Sequence, residues 1–258
     1  MPNPSRRVLA RSAPGNRPAR APARAVAGPV APRQEPAATL HRNVRGLGQK
    51  RRDRDLYETP PDCALAICKR LARLVRLDAE PKLIEPSAGS GNFVRAMRAV
   101  WHDAIILAID LHAQNARLLH AAGATSYITG RWQNQNVKGF AADLTVGNLP
   151  FSEAEEHIHH GIDMMPVNGW LACLLPTTFL ATQGRSERLW TPERPGSLVG
   201  CGGLRYFWPL AERPSYTNDG GTDMTEYGVY VWRKGYTLNP EMLPPLWWKE
   251  KNRERHDA

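Results

Sequence analysis

From about Leu56 onward the apolar positions switch repeatedly between a helical period and short continuous runs. The stretch "PPDCALAICKRLARLVRL" (60–77) repeats apolar residues at helical spacing behind a proline start, which predicts a helix. "PKLIEP" (81–86) reads as a short buried strand that breaks into "SAGSGN", and "FVRAMRAVW" then resumes the helical period. "AIILAID" (104–110) is a second apolar strand, ending in an acid. A helix over "HAQNARLLHAAG" stops at Gly123, and strands follow at "TSYIT" and "AADLTVGN". A polar helix around "SEAEEHIHHGIDMM", a strand at "GWLACLLP", a loop-rich stretch over 181–225 and a last strand at "EYGVYVW" complete the pattern. Strands alternating with helices predict an open α/β sheet. We place this domain over residues 55–240, with 241–258 as a short C-terminal tail, and find no internal repeat.

Charge changes the picture at the other end. Residues 1–54 hold 12 Arg and 1 Lys against Glu35 and Asp53, a net of +11; the whole chain nets +9, which leaves −2 for residues 55–258. Rich in Arg, Ala and Pro and poor in apolar periodicity, this arm cannot repay the entropy of ordering and is expected to be disordered. It can grip nucleic acid phosphates or serve as a solvated tail, and "RGLGQKRRDR", directly against the domain, favours the grip. An organellar transit peptide fits the Arg content but not the scarcity of Ser or the many prolines. No secretory apolar core is visible, and the most apolar window, "WLACLLPTTFL", is too short to span a membrane. Cys63, Cys68, Cys173 and Cys201 form no CxxC pair and read as reduced thiols of a cytoplasmic-type compartment. The "HIHH" run (157–160) falls on a helix read as exposed, without Cys or acid partners at ligand spacing, so no metal site is expected. Trp208, Trp232, Trp247 and Trp248 are read as packing residues.

Candidate chemistry gathers at two strand ends. In "LIEPSAGSGNF", Gly89 and Gly91 make a tight strand-to-helix turn whose backbone N–H groups can approach a ligand. Asp110 ends the next strand 21 residues after Gly89, where an acid can bind ribose hydroxyls. Together they point to a nucleoside-containing cofactor. Glu85 beside the turn would repel a pyrophosphate but suits a cation, which favours a ligand without phosphates. The fourth strand ends in "TVGNLPF" (145–151), an apolar run passing straight into an amide, a proline and an aromatic ring.

"EPSAGSGNF", then "AIDLH", then "GNLPF", resembles the class I S-adenosylmethionine-dependent methyltransferases, in particular the adenine-N6 DNA methyltransferases. "YETPPD" (57–62) and "RPSYTNDGGTDMTEYGVYVW" (213–232) are similar to phage-borne and bacterial orphan members. The resemblance covers about residues 55–235. It implies a Rossmann-like fold: a mostly parallel seven-stranded sheet with helices on both faces. It also implies S-adenosyl-L-methionine as cofactor, held by Tyr57, Thr59, Glu85, Pro86, Ala88, Gly89, Gly91, Asn92 and Asp110. Asn148, Leu149, Pro150 and Phe151 are the implied catalytic residues, Phe179 and Arg213 the implied substrate contacts, and DNA in a bacterial or phage-infected cytoplasm the implied partner. Phe179 reads equally well as ordinary core.

An exocyclic amine is a poor nucleophile because its lone pair is delocalised into the ring. Two acceptors, the Asn148 side-chain oxygen and the residue 149 carbonyl, would polarise it, while Pro150 stiffens the segment and Phe151 offers a stacking face for a flipped base. Two departures from the family pattern stand out. Leu149 replaces the first proline of the tetrapeptide, and Arg131, in "ITGRWQ", stands where an acid commonly binds the cofactor's adenine. RNA or a protein glutamine amide as substrate, and a nucleic-acid-binding module with weakened catalysis, are the competing readings.

Overall fold

The computed structural model describes residues 58–185, 189, 203–216, 224–236 and 239–249. The basic arm, Tyr57, Cys201 and parts of the 181–225 stretch lie outside the described residues. The helices are α1 (Pro61–Leu74), α2 (Asn92–Val100), α3 (Ala116–Ala121), α4 (Ala154–Met164) and the short α5 (Gln183–Arg185). The strands are β1 (Lys82–Glu85), β2 (Ile105–Asp110), β3 (Ser126–Thr129), β4 (Leu144–Asn148), β5 (Trp170–Pro176), β6 (Gly203–Pro209), β7 (Tyr227–Arg233) and β8 (Glu241–Met242).

All eight strands join one sheet in the order β3-β2-β1-β4-β5-β7-β6-β8. The first five pair in parallel, whereas β7 runs antiparallel to both β5 and β6. Strands covered on both faces need apolar residues at every position. This is why β2 and β5 read as continuous runs, and their successive side chains divide between two cores. Leu83, Ile106, Leu144 and Ala172 share one apolar cluster with Ile67, Leu71 and Met97 from α1 and α2. On the other face, Leu171 and Cys173 cluster with Ile158 and Ile162 of α4, and Ile84 and Ile109 cluster with Trp132. Helices therefore cover both faces, and the fold is the expected Rossmann-like α/β arrangement. Cys63, Cys68 and Cys173 are free buried thiols, held protonated chiefly by desolvation. Trp208, Trp232 and Trp248 are buried packing residues. No described helix is long and apolar enough to cross a membrane.

The structure differs from the sequence pattern in three places. The sheet has eight strands rather than seven: β6 lies inside the stretch read as loop, and β8 is a two-residue addition parallel to it. A bulge between Leu204 and Tyr206 breaks the period-two alternation that would have revealed β6. Residues 241–249, placed in a tail by pattern alone, are attached to the sheet. Leu246 and Trp248 are buried there, and the Trp248 backbone N–H and indole N–H donate to Glu212 at 2.9 and 3.0 Å. Finally, α4 is not an exposed helix: His157, Ile158, Gly161 and Ile162 face inward.

Gly228 sits opposite Leu175 on β5 and Pro209 on β6. A Cβ there would stand 2.6 Å from Phe207 Cε2 and 3.0 Å from the Trp208 carbonyl oxygen. Gly228→Ala should therefore lower stability by roughly 1–3 kcal/mol through overpacking, read as an earlier urea unfolding midpoint.

Candidate active site

The chain fills the sheet from β1 outward to β3, then returns to β4 on the opposite side of β1. Such a reversal leaves a crevice beyond the carboxyl ends of the strands, the usual ligand position in open α/β sheets. A cavity of about 530 Å³ occupies it, walled by residues that end β1, β2 and β4.

Its floor is the glycine turn. The Ala88 N–H donates to the Ile109 carbonyl at 3.0 Å, and the Gly91 N–H to the Ala88 carbonyl at 2.8 Å. Asp110 ties the turn to β2: its Oδ2 accepts the Gly89 N–H at 2.8 Å, while Oδ1 accepts the His112 N–H at 2.7 Å and the Asn115 amide at 3.1 Å. Gly89 (φ +49°) and Gly91 (φ +86°) both take left-handed backbone. Their surroundings differ. A Cβ at Gly89 would meet nothing within 4 Å, whereas one at Gly91 would stand 2.9 Å from Ala122 Cβ. The first glycine leaves the ligand space clear, and the second lets α2 pack against the end of α3. The Asn92 amide donates to the Thr59 carbonyl at 2.8 Å, which draws the segment before α1 to the rim.

Glu85 is only 1% exposed, and neither carboxyl oxygen has a hydrogen-bond partner among the described residues. Burial, reinforced by the charge of Asp110, holds its pKa well above the ordinary carboxylate range, and the nearby Ser87 backbone N–H offsets only part of this. It fits because β4 has a glycine alongside: a Cβ on Gly147 would stand 2.3 Å from Glu85 Oε1.

After β4 the chain alternates in direction. Asn148 and Pro150 line the cavity. Leu149, 2% exposed, points instead into the apolar cluster of Ile158 and Leu171. Phe151 also lies outside the cavity wall, half-buried with its ring 5.6 Å from that of Tyr227. Glu153, two residues on, is the hub of the rim. It accepts from Arg131 Nη1 at 3.0 and 3.1 Å and from the Gln133 amide at 2.9 Å, and it lies 3.7 Å from His157 Nε2. The Arg131 hydrogen bond is the main reason its carboxyl titrates below its ordinary value. Arg131 thus clamps the segment after β4 to the loop after β3. His157, 4% exposed, reaches the same cavity, and burial pushes its pKa down to about 4.

The structure brings Thr59, Glu85, Pro86, Ala88, Gly89, Asn92, Asp110, Asn148 and Pro150 to one cavity. Gly91 stands behind the turn, and Tyr57 lies outside the described residues. Phe179 is buried core, its ring 6.0 Å from Tyr230 and 4.9 Å beneath the Arg185 guanidinium. Arg213, outside the cavity wall, donates from Nε to Glu226 at 2.8 Å. Glu153, His157 and Gln133 were not singled out as cavity residues from the sequence. The four-residue spacing of Glu153 and His157 was the available signal, hidden by reading α4 as exposed. Among the described residues no group of three or more His, Cys, Asp or Glu is arranged to hold a metal ion.

No family model and no curated protein matches the chain. Solved structures do. A predicted O-methyltransferase from Agrobacterium tumefaciens is similar at a TM-score of 0.50 and 13% identity, over 71% of this chain and 86% of that one. The methyltransferase subunit of a type I restriction-modification system from Streptococcus thermophilus is similar at a TM-score of 0.54 and 12% identity. That match covers 73% of this chain but 47% of the subunit, so the chain spans about half its length. At such identities the likeness defines the fold, that of Rossmann-like methyltransferases.

His157 yields a stability prediction with a definite sign. Its folded pKa of about 4 lies below its ordinary value of 6.5, so the unfolded chain binds the proton more readily between these values. Its contribution is intact above pH 6.5 and is lost as pH falls toward 4. His157→Gln should therefore remove roughly 1–3 kcal/mol of the acid-induced loss across that window, measured by urea unfolding at pH 7, 5.5 and 4.

Proposed function

We propose that the chain transfers a methyl group from S-adenosyl-L-methionine to the exocyclic amino group of adenine in DNA. The observation that carries this reading is the meeting, in one cavity, of the Asn148–Pro150 strand end with a buried carboxyl that has no partner. The cavity residues fit the cofactor on three counts. Glu85 is an orphaned acid suited to a cation, Gly89 leaves its neighbourhood clear, and Asp110, beside the turn, would bind the ribose hydroxyls. Asp110 retains acceptor capacity, because a carboxylate offers about four lone-pair sites and three donors engage it. When bound, the cofactor supplies an electrophilic methyl group on sulfonium.

The chain's own part is to hold and polarise the amine. Asn148 would accept a hydrogen bond from one amine N–H through its side-chain oxygen and the Leu149 carbonyl one from the other; the acidic N-methylated ammonium then loses one proton to water. Those acceptors favour the transition state over the planar ground state. Burial of the Leu149 side chain anchors that carbonyl, doing by packing what a second proline would do by ring closure. Phe151, half-buried with one side against the Tyr227 ring just outside the cavity wall, is the residue assigned to stacking with a flipped base. DNA is favoured by the +11 net charge of residues 1–54.

Incubation with cofactor and DNA, followed by nucleoside mass spectrometry, should yield N6-methyladenine. Asn148→Ala should cost roughly a hundredfold or more in rate, with cofactor affinity retained. Calorimetric binding without any methylated adenine would sink the substrate assignment. Ligand binding at Glu85 should also carry a pH signature. A cation beside this acid favours its ionised form, so binding releases a proton and affinity rises with pH above the ordinary carboxylate range. Titration in buffers of different ionisation enthalpy should show that release, and Glu85→Gln should abolish it.

A further inference from the structure

A second cleft, of about 480 Å³, opens at the opposite edge of the sheet, where β4 and β5 begin and β7 ends. Three arginines line it, Arg76 after α1, Arg205 on β6 and Arg233 on β7. Arg205 is balanced by Glu241 at 3.0 Å. The other two are not: neither Arg76 nor Arg233 has an acidic partner among the described residues.

Arg233 is the more exacting case. Its guanidinium lies over the Trp170 ring at 5.1 Å, and Nη2 donates to Asn168 Oδ1 at 3.1 Å. Nε is buried and has no acceptor among the described residues. A buried donor left unpaired is costly, and the contact with Trp170 holds the guanidinium in place without supplying an acceptor. The acids in the wall do not relieve it. Asp143 Oδ2 is taken by the Lys82 N–H at 2.8 Å, and Asp78 is exposed and paired with neither arginine among the described residues. What is missing is an oxyanion offering several acceptors at once, and guanidinium forks match phosphate in both geometry and charge.

We propose that this cleft is a second binding site, separate from the cavity at the carboxyl edge, which takes a phosphate group between Arg76 and Arg233. The phosphate can come as a free ion or as part of a nucleic acid backbone, and the two sources are separable. Inorganic phosphate and a short single-stranded oligonucleotide would each be titrated calorimetrically into the full chain, into Arg76→Gln and into Arg233→Lys. Saturable phosphate binding weakened tenfold or more in both variants is expected, and weakening for the oligonucleotide alone would assign the site to a nucleic acid backbone. Binding of neither probe, or binding that both variants retain, would overturn the proposal. Arg76 lies on exposed chain, so its variant decides the matter even if Arg233→Lys disturbs the fold. S-adenosylmethionine affinity should be unchanged in both variants, so failure here is distinguishable from failure of the methyl-transfer reading.

Discussion

Asp110 accepts donors from Gly89, His112 and Asn115, and this one carboxylate sets the loops after β1 and β2 at a fixed distance from each other. Strand-end loops are otherwise the most variable parts of an open sheet. The cavity inherits its shape from that tie, because the glycine turn can leave space for a ligand only while it is held back against β2. Glu85 is the counterpart. It sits within the electrostatic reach of Asp110, and burial holds its pKa well above the ordinary carboxylate range, whereas Asp110 is tied by three donors. Two carboxyls side by side thus differ in their surroundings, one engaged by three donors and the other buried in the cavity wall.

The layout of the parallel half was legible in the chain because each strand is buried on both faces and reads as an unbroken apolar run. The glycine turn and Asp110 were legible for a related reason: left-handed backbone and a strand-terminal acid leave marks at fixed spacing. The antiparallel half was harder to read. In β6 a bulge shifts Tyr206 out of register, and in 241–249 few residues touch the sheet, so neither produces a clean period. Electrostatic partners were least visible. Glu153 and Arg131 are 22 residues apart, and only the approach of two loops makes them a pair.

That pair changes how the two departures from the methyltransferase pattern are understood. Arg131 need not be a lost cofactor contact, since it holds Glu153 and through it the segment just beyond Asn148–Phe151. Leu149 secures the same segment from below by burial in the α4 core. A partly exposed ion pair contributes only about 0–1 kcal/mol, so the apolar anchor carries most of the restraint and the ion pair chiefly sets direction.

The attachment of residues 241–249 has a consequence for how the chain is made. Arg70 donates to the Pro244 carbonyl at 2.7 Å across a separation of 174 residues, and Trp248 closes on Glu212. Loop closure over such separations is slow compared with local structure. On the ribosome, α1 and the parallel strands can collapse early, but α1 gains this last contact only after residue 244 has emerged. Until then a translating chain exposes the apolar surface that Leu246 and Trp248 later cover, and this half-finished species is the form a chaperone or protease would meet.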